Sequence, residues 1–225
     1  MTDLLPLAML GGILGLDVVS FPQMMASRPL VAATLGGALA GNAVMGLYVG
    51  VTLELIALAT LPFGASRYPE WGSASVVGGA IASALHTDRS GALTIGVLAA
   101  LTTAWIGGLT LVQMRGGIAA LARRRRAALD AGSRGAVIGL QLAGLTADMA
   151  RACALTALSV LVFFPLAQAT LGTWSLSESL SRGFVVSAAS AVAGAAAWTI
   201  FHSARGARWY FVGGLTIGVA MLVMR

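Results

Sequence analysis

Five stretches of this chain, residues 29–53, 90–114, 152–177, 183–204 and 209–224, contain no formally charged side chain. A helix needs about 20 apolar residues to cross a hydrocarbon core roughly 30 Å thick, so each stretch is a candidate membrane span. Composition agrees: 58% of the 225 residues are hydrophobic and 10% are charged, against roughly 25% charged in soluble domains. The apolar stretch 4–16 lacks a basic leading region and is followed by more hydrophobic chain, which predicts a retained helix and not a cleaved signal peptide. All 14 basic residues are arginine and the isoelectric point is near 11.0. These arginines sit in short segments between apolar runs, where positive charge sets membrane orientation, so no nucleic-acid partner is expected. Cys153 has no second cysteine and reads as a buried thiol.

The 29 glycines and many alanines and serines suit helices that pack closely in lipid. The glycine-rich runs 36–41 and 78–82 have no preceding strand and no following lysine, so neither is a phosphate-binding loop. Arg115, Arg123, Arg124, Arg125, Arg126 and Arg134 crowd the segment 115–135 and mark it as a cytoplasmic loop. By alternation, a helix from about Ala136 to Pro165 exits, Glu178 and Arg182 lie outside, and Arg205 and Arg208 return inside. The last helix then leaves Arg225 outside. The arginine run also has the chemistry of an anionic-lipid or partner patch. Residues 1–89 differ from 90–225, because Pro22, Pro29, Pro62 and Pro69 interrupt their apolar runs and 73–85 is too short to span at 1.5 Å per residue. The expected fold is an all-α membrane protein, a polytopic bundle forming a single membrane domain over 1–225. Broken or re-entrant helices and the substrate site fall in 1–89, and regular spans fall in 90–225. Non-helical backbone at membrane depth survives only where protein or a water-filled cavity satisfies it, which is why the site is expected there.

Glu54 is the sharpest residue, being the only charge for many positions on either side. A carboxylate at that depth costs on the order of 3 kcal/mol on insertion scales. It either contacts a hydroxyl-rich substrate or a coupled ion, or it is structural, paired with a buried arginine or capping a broken helix. Asp17 is similarly isolated, and lines a cavity or sits at the interface. Asp148 and Arg151, spaced i, i+3, should neutralise each other on one helix face. His86 and His202 fall on opposite sides of the membrane and cannot share a site; no metal cluster or catalytic constellation is formed by the sequence, so no cofactor is expected. Trp71, Trp174 and Trp209 suit an interfacial belt, with Trp105 and Trp198 packed inside.

The block from Arg28 to Gly79 carries a resemblance. It contains Arg28-Pro29-Leu30, then Thr34-Leu35, then Val51-Thr52-Leu53-Glu54-Leu55-Ile56-Ala57-Leu58, then Gly64-Ala65-Ser66 and Pro69-Glu70. Order and spacing resemble the IIC component of the mannose/fructose/sorbose family of the sugar phosphotransferase system, with its R-P-L-x-A-x-T-L-x-G, G-x-T-L-E-x-I-A-L-G and N-I-G-A-A-x-x-P-D runs. The resemblance implies a permease subunit of the bacterial cytoplasmic membrane, itself no enzyme. It would move a hexose-type sugar inward in an oligomer with a IID membrane subunit, while cytoplasmic IIA and IIB proteins carry the phosphate. It implies substrate contacts from Glu54, with Thr52, Ser66 and Asp17 assisting. The chain departs from the pattern at Pro62, Asn42 and Ser27, and ends where the family adds another helix. Those departures fit a second reading, a non-transporting scaffold or sensor subunit. A membrane enzyme would need Glu54, Asp148 and Asp17 to converge, and nothing in the sequence brings them together.

Overall fold

The computed structural model describes residues 4–17, 20–60, 68–85, 91–173 and 177–223, and every regular element among them is helical. In chain order these are α1 Leu4–Asp17, α2 Pro29–Leu39, α3 Ala43–Ala57 with a 3-10 turn Leu58–Thr60, α4 Trp71–Leu85, α5 Ala92–Arg124, α6 Arg126–Asp130, α7 Arg134–Thr173, α8 Glu178–Phe201 and α9 Ala207–Val223. Among the described residues, four stretches are long and apolar enough to span: Ala43–Thr60, Ala92–Arg124, Arg134–Thr173 and Glu178–Phe201.

The uncharged run 29–53 is not one span. Gly41 takes a φ of +96°, which glycine adopts without penalty, and Asn42 follows in extended conformation. The Asn42 side chain accepts a hydrogen bond from Met45 N at 2.9 Å and so starts α3. The result is a helical hairpin whose arms nearly touch: a Cβ on Gly37 would lie 2.7 Å from the Cα of Gly46. Two glycines facing each other are what permit that approach.

Helix α4 forms the centre. At 15 residues it is about 22 Å long, too short to cross, and every residue except Ala84 is buried among α1, α2, α3, α5 and α7. Its sequence explains the enclosure, since small side chains on every face leave room for neighbours all round. Against α5 the contact is backbone to backbone, with a Cβ on Gly78 or Gly96 reaching 2.7 Å from the other's carbonyl oxygen. Helix α1 lies antiparallel to α7, with Gly11 against Thr156, Gly12 against Cys153 and Gly15 against Ala152.

Two expectations from the sequence need correction. Segment 115–135 is helical, not a loop: α5 runs on to Arg124, α6 occupies Arg126–Asp130 and α7 begins at Arg134. Arginine and alanine are strong helix formers, and no proline interrupts this segment. The tryptophans are also sorted differently. Trp71 is buried at 9% exposure because it opens the enclosed helix α4, whereas Trp105 is 60% exposed on the outer side of α5. The expected Asp148–Arg151 pair forms, with Arg151 Nη2 to Asp148 Oδ1 at 2.8 Å.

Helix α5 serves as a depth gauge. Its first charge is Arg115, and near its start Thr94 Oγ1 meets Ser181 Oγ of α8 at 2.5 Å. Thr94 to Arg115 spans about 31 Å at 1.5 Å per residue, the thickness of a hydrocarbon core. Glu70 N donates to Ala104 O at 2.9 Å, about 15 Å from Thr94 and hence near the midplane.

Candidate functional site

Four helix ends meet close to that level: the C-termini of α1 and α3 and the N-termini of α2 and α4. Helix N-termini leave unpaired N–H groups with a partial positive charge, which burial makes costly unless something accepts from them. Three carboxylates do so. Asp17 Oδ1 accepts from Met24 N at 2.6 Å and Oδ2 from Ser27 N at 2.8 Å, pinning the segment that leads into α2. Glu54, arriving on the returning arm of the hairpin, pairs through Oε1 with the Arg28 guanidinium and through Oε2 accepts from Leu30 N at 3.2 Å. Glu70 precedes α4, and its Oε1 accepts from Ser73 N at 3.1 Å and Ser73 Oγ at 3.2 Å.

Asp17 and Glu54 thus grip the two ends of one short stretch, Met24 to Leu30. The backbone at its start is strained, with φ of +63° at Met25 and +61° at Gln23 just before it, a region side-chain-bearing residues seldom enter. Strain of this kind persists where the surroundings over-determine the conformation, and the two carboxylates supply that determination. Between this stretch and α4 lies a cavity of about 330 Å³, lined by Asp17, Gln23, Met25, Ser27, Arg28, Pro29 and Trp71. Its walls offer a carboxylate, an amide, a hydroxyl and a guanidinium beside one indole. The indole is fixed, since Trp71 Nε1 donates to Thr60 Oγ1 at 3.2 Å. Arg28 is paired to Glu54, and the Asp17 carboxylate is stabilised by the main-chain N–H groups it accepts from.

The structure therefore brings Asp17 and Glu54 together through the α1–α2 connection. Thr52 is buried, and its hydroxyl donates to Tyr48 O of its own helix at 2.8 Å. Ser66, Pro62 and His86 lie outside the described residues. His202 is exposed after α8, its Nδ1 2.9 Å from Thr199 O.

Sequence reasoning missed Glu70, Ser27 and Trp71 as parts of this centre. Glu70 is 1% exposed, and its Oε2 is buried without a hydrogen-bond partner. Around it stands a polar layer in which Ser20 Oγ donates to Asp148 Oδ2 at 2.7 Å, Arg151 Nη1 reaches Thr110 Oγ1 at 3.4 Å and Arg115 Nη2 donates to Tyr68 Oη at 2.6 Å. The signal available in the sequence was Pro69, which disfavours helix at Tyr68 and places Glu70 beside the start of the next helix.

Comparison with known proteins follows the same line. The family described as PTS system sorbose-specific IIC component matches residues 2–196. No curated protein matches the chain. Among solved structures, one described as "Structure of membrane protein" superposes with a TM-score of 0.71 at 19% identity, covering 98% of this chain and 90% of that one. A second, a cryo-EM structure of the mannose transporter ManYZ in complex with microcin E492, gives a TM-score of 0.63 at 20% identity, covering 98% of this chain and 92% of that one. At these identities the likeness is one of fold.

Proposed function

The chain belongs to the family of PTS system sorbose-specific IIC components, and on that premise we propose that it binds a neutral hexose-type sugar at mid-membrane and passes it inward for phosphorylation. It is a multi-pass membrane subunit of a sugar phosphotransferase permease. Its setting is the bacterial cytoplasmic membrane, its membrane partner a IID subunit, and its phosphate source a IIB protein charged by IIA.

One observation carries this reading: a cavity with a carboxylate, an amide, a hydroxyl and a guanidinium in its wall at the meeting point of four helix ends, close to half-way along the uncharged length of α5. Transporters place substrate sites where discontinuous helices end near the midplane, because only there can a bilayer protein present unpaired main-chain dipoles to a solute. Sugar hydroxyls would bond Ser27 and Gln23, with Asp17 holding the stretch that carries them. Glu54 acts on the same site through Arg28 and Leu30 N, holding the lining stretch in place and accepting from a hydroxyl at its exposed edge. Thr52, bonded to Tyr48, supports that turn of α3. Phosphorylation on the cytoplasmic side would trap the sugar, so this chain's own part is binding, orientation and passage.

The test is phosphoenolpyruvate-dependent sugar uptake in membrane vesicles holding the chain with its partner proteins. Asp17→Asn and Glu54→Ala should each lower uptake by at least tenfold. Uptake unchanged in both would sink the proposed site, and binding of sugar without any uptake would favour the sensor reading.

A further inference from the structure

The cavity wall mixes the polar groups of Asp17, Gln23, Ser27 and Arg28 with the apolar side chains of Met25, Pro29 and Trp71, and Trp71 is the aromatic among them. Trp71 stands at the first position of α4, belongs to the buried cluster that holds Ala57, Ala74 and Ala104, is 9% exposed, and lines the cavity. Its neighbours leave it no freedom. The bond from Nε1 to Thr60 Oγ1 fixes the ring's rotation, and Glu70 caps the helix that carries it. A rigid aromatic wall opposite Ser27, Gln23 and Asp17 divides the cavity into a polar side and an apolar side. A pyranose ring is divided likewise, with hydroxyls around its rim and C–H groups on its faces, and aromatic rings attract such weakly positive hydrogens.

Size points the same way. A volume of about 330 Å³ is at the low end for ligand sites, and Trp71 is the bulkiest side chain bounding it. On the side of α4 the indole bounds that space.

Taking the cavity as the sugar site, we infer that Trp71 is the specificity-determining residue of this permease, packing its indole against one face of a single sugar ring and excluding ligands with a second ring. Thr60 is its positioning residue. The polar wall selects for hydroxyls, and the indole selects for ring size and for an apolar face free of axial substituents.

Equilibrium binding of radiolabelled mannose and sorbose to the purified full chain in lipid nanodiscs, with the disaccharide mannobiose as competitor, tests the assignment. Trp71→Ala should weaken binding of whichever monosaccharide the wild type holds by tenfold or more, while improving competition by mannobiose. Trp71→Phe, which keeps an aromatic wall and spares the core, should stay within about threefold for the monosaccharide. Thr60→Val should fall between the two, since the ring remains but is free to turn. If Trp71→Ala fails to fold, the Phe and Val variants still decide, through the ratio of monosaccharide to disaccharide affinity, which a loss of stability alone leaves unmoved. An unchanged ratio in every Trp71 and Thr60 variant, with Asp17→Asn abolishing binding, overturns the role of Trp71 and keeps the site. Unchanged binding in Asp17→Asn as well overturns the site itself.

Discussion

A carboxylate near the midplane of a bilayer must find protons to accept, and Asp17, Glu54 and Glu70 find them on main-chain N–H groups near the starts of α2 and α4. For Glu54 the Arg28 guanidinium adds a charge partner, with the two side chains 25% and 33% exposed. Removing one member of a fully buried pair costs about 3–5 kcal/mol; this pair keeps some solvent screening, so Glu54→Ala should cost about 1–3 kcal/mol. Replacing both partners, Arg28→Met with Glu54→Leu, should cost less than the sum of the single changes. A double-mutant cycle read by thermal unfolding in detergent checks this, and additive effects would show that the pair contributes nothing. Glu70 poses a different case, because Oε1 makes its bonds to Ser73 while Oε2 makes none. Glu70→Gln keeps the accepting oxygen and exchanges one bare group for another, whereas Glu70→Ala strands the Ser73 N–H and leaves a void. The alanine variant should therefore be less stable than the glutamine variant by about 1–2 kcal/mol, the size of a lost helix cap; equal melting temperatures would refute that order. How far these residues were legible depends on what surrounds them in the chain. Glu54 stands alone in an apolar run, so its cost was evident from the sequence. Its partner Arg28 lies 26 residues earlier, joined to it by a hairpin register that no local pattern encodes. Glu70 was hidden because it follows Arg67, Tyr68 and Pro69 and reads as part of a polar turn; only the closing of α1, α5 and α7 around it makes it buried.

At the scale of elements, the hairpin of α2 and α3 and the enclosed helix α4 depend on glycine where backbones cross. A Cβ on Gly46 would lie 2.9 Å from the Cα of Gly37, and the atoms it meets are backbone, which cannot turn aside. Gly46→Ala should force the arms apart and lower stability by about 1–3 kcal/mol, as overpacking does in close-packed interiors. Gly213→Ala in α9 meets nothing within 4 Å and gains helix propensity, so it should be neutral or slightly stabilising. Parallel melting curves of the two variants in the same detergent decide it, and equal destabilisation would count against the crossing as the cause. The short, broken character of the N-terminal half was readable from its prolines and from the length of 73–85. The position of the break within 29–53 was not, since Gly41-Asn42 differs little from the other small-residue steps around it. Hydropathy also concealed where α5 and α7 end, because the arginines that mark the membrane boundary are good helix formers and the helices continue through them.

For the whole molecule, those long helices settle the geometry. Helix α5 has 33 residues and α7 has 40, about 50 and 60 Å, against a hydrocarbon core of roughly 30 Å. Beyond Arg115 the pair continues as a helical arm with α6 at its end, carrying Arg123, Arg124, Arg125, Arg126 and Arg134 in exposed positions with Asp130 as the acid among them. Arg123 lies about 12 Å past Arg115 along the helix axis, further than the few ångströms of headgroup on either side of the core. Positive charge is retained on the cytoplasmic side, so the orientation we propose puts the arm in the cytoplasm and the start of α8 outside. Single cysteines report this directly. In a Cys153→Ala background, Ser133→Cys at the arm and Ser177→Cys at the start of α8 are both exposed positions. A membrane-impermeant maleimide applied to intact spheroplasts should label the Ser177 variant alone, and applied to inside-out vesicles the Ser133 variant alone. Trypsin on inside-out vesicles should also cut between Arg123 and Arg126, where α5 gives way to α6. Labelling of the Ser133 variant in intact spheroplasts would invert the whole molecule. Because α1 runs antiparallel to α7, α4 is packed against both, and α2 and α3 are packed against α4, inversion of the arm would turn the N-terminal half over with it.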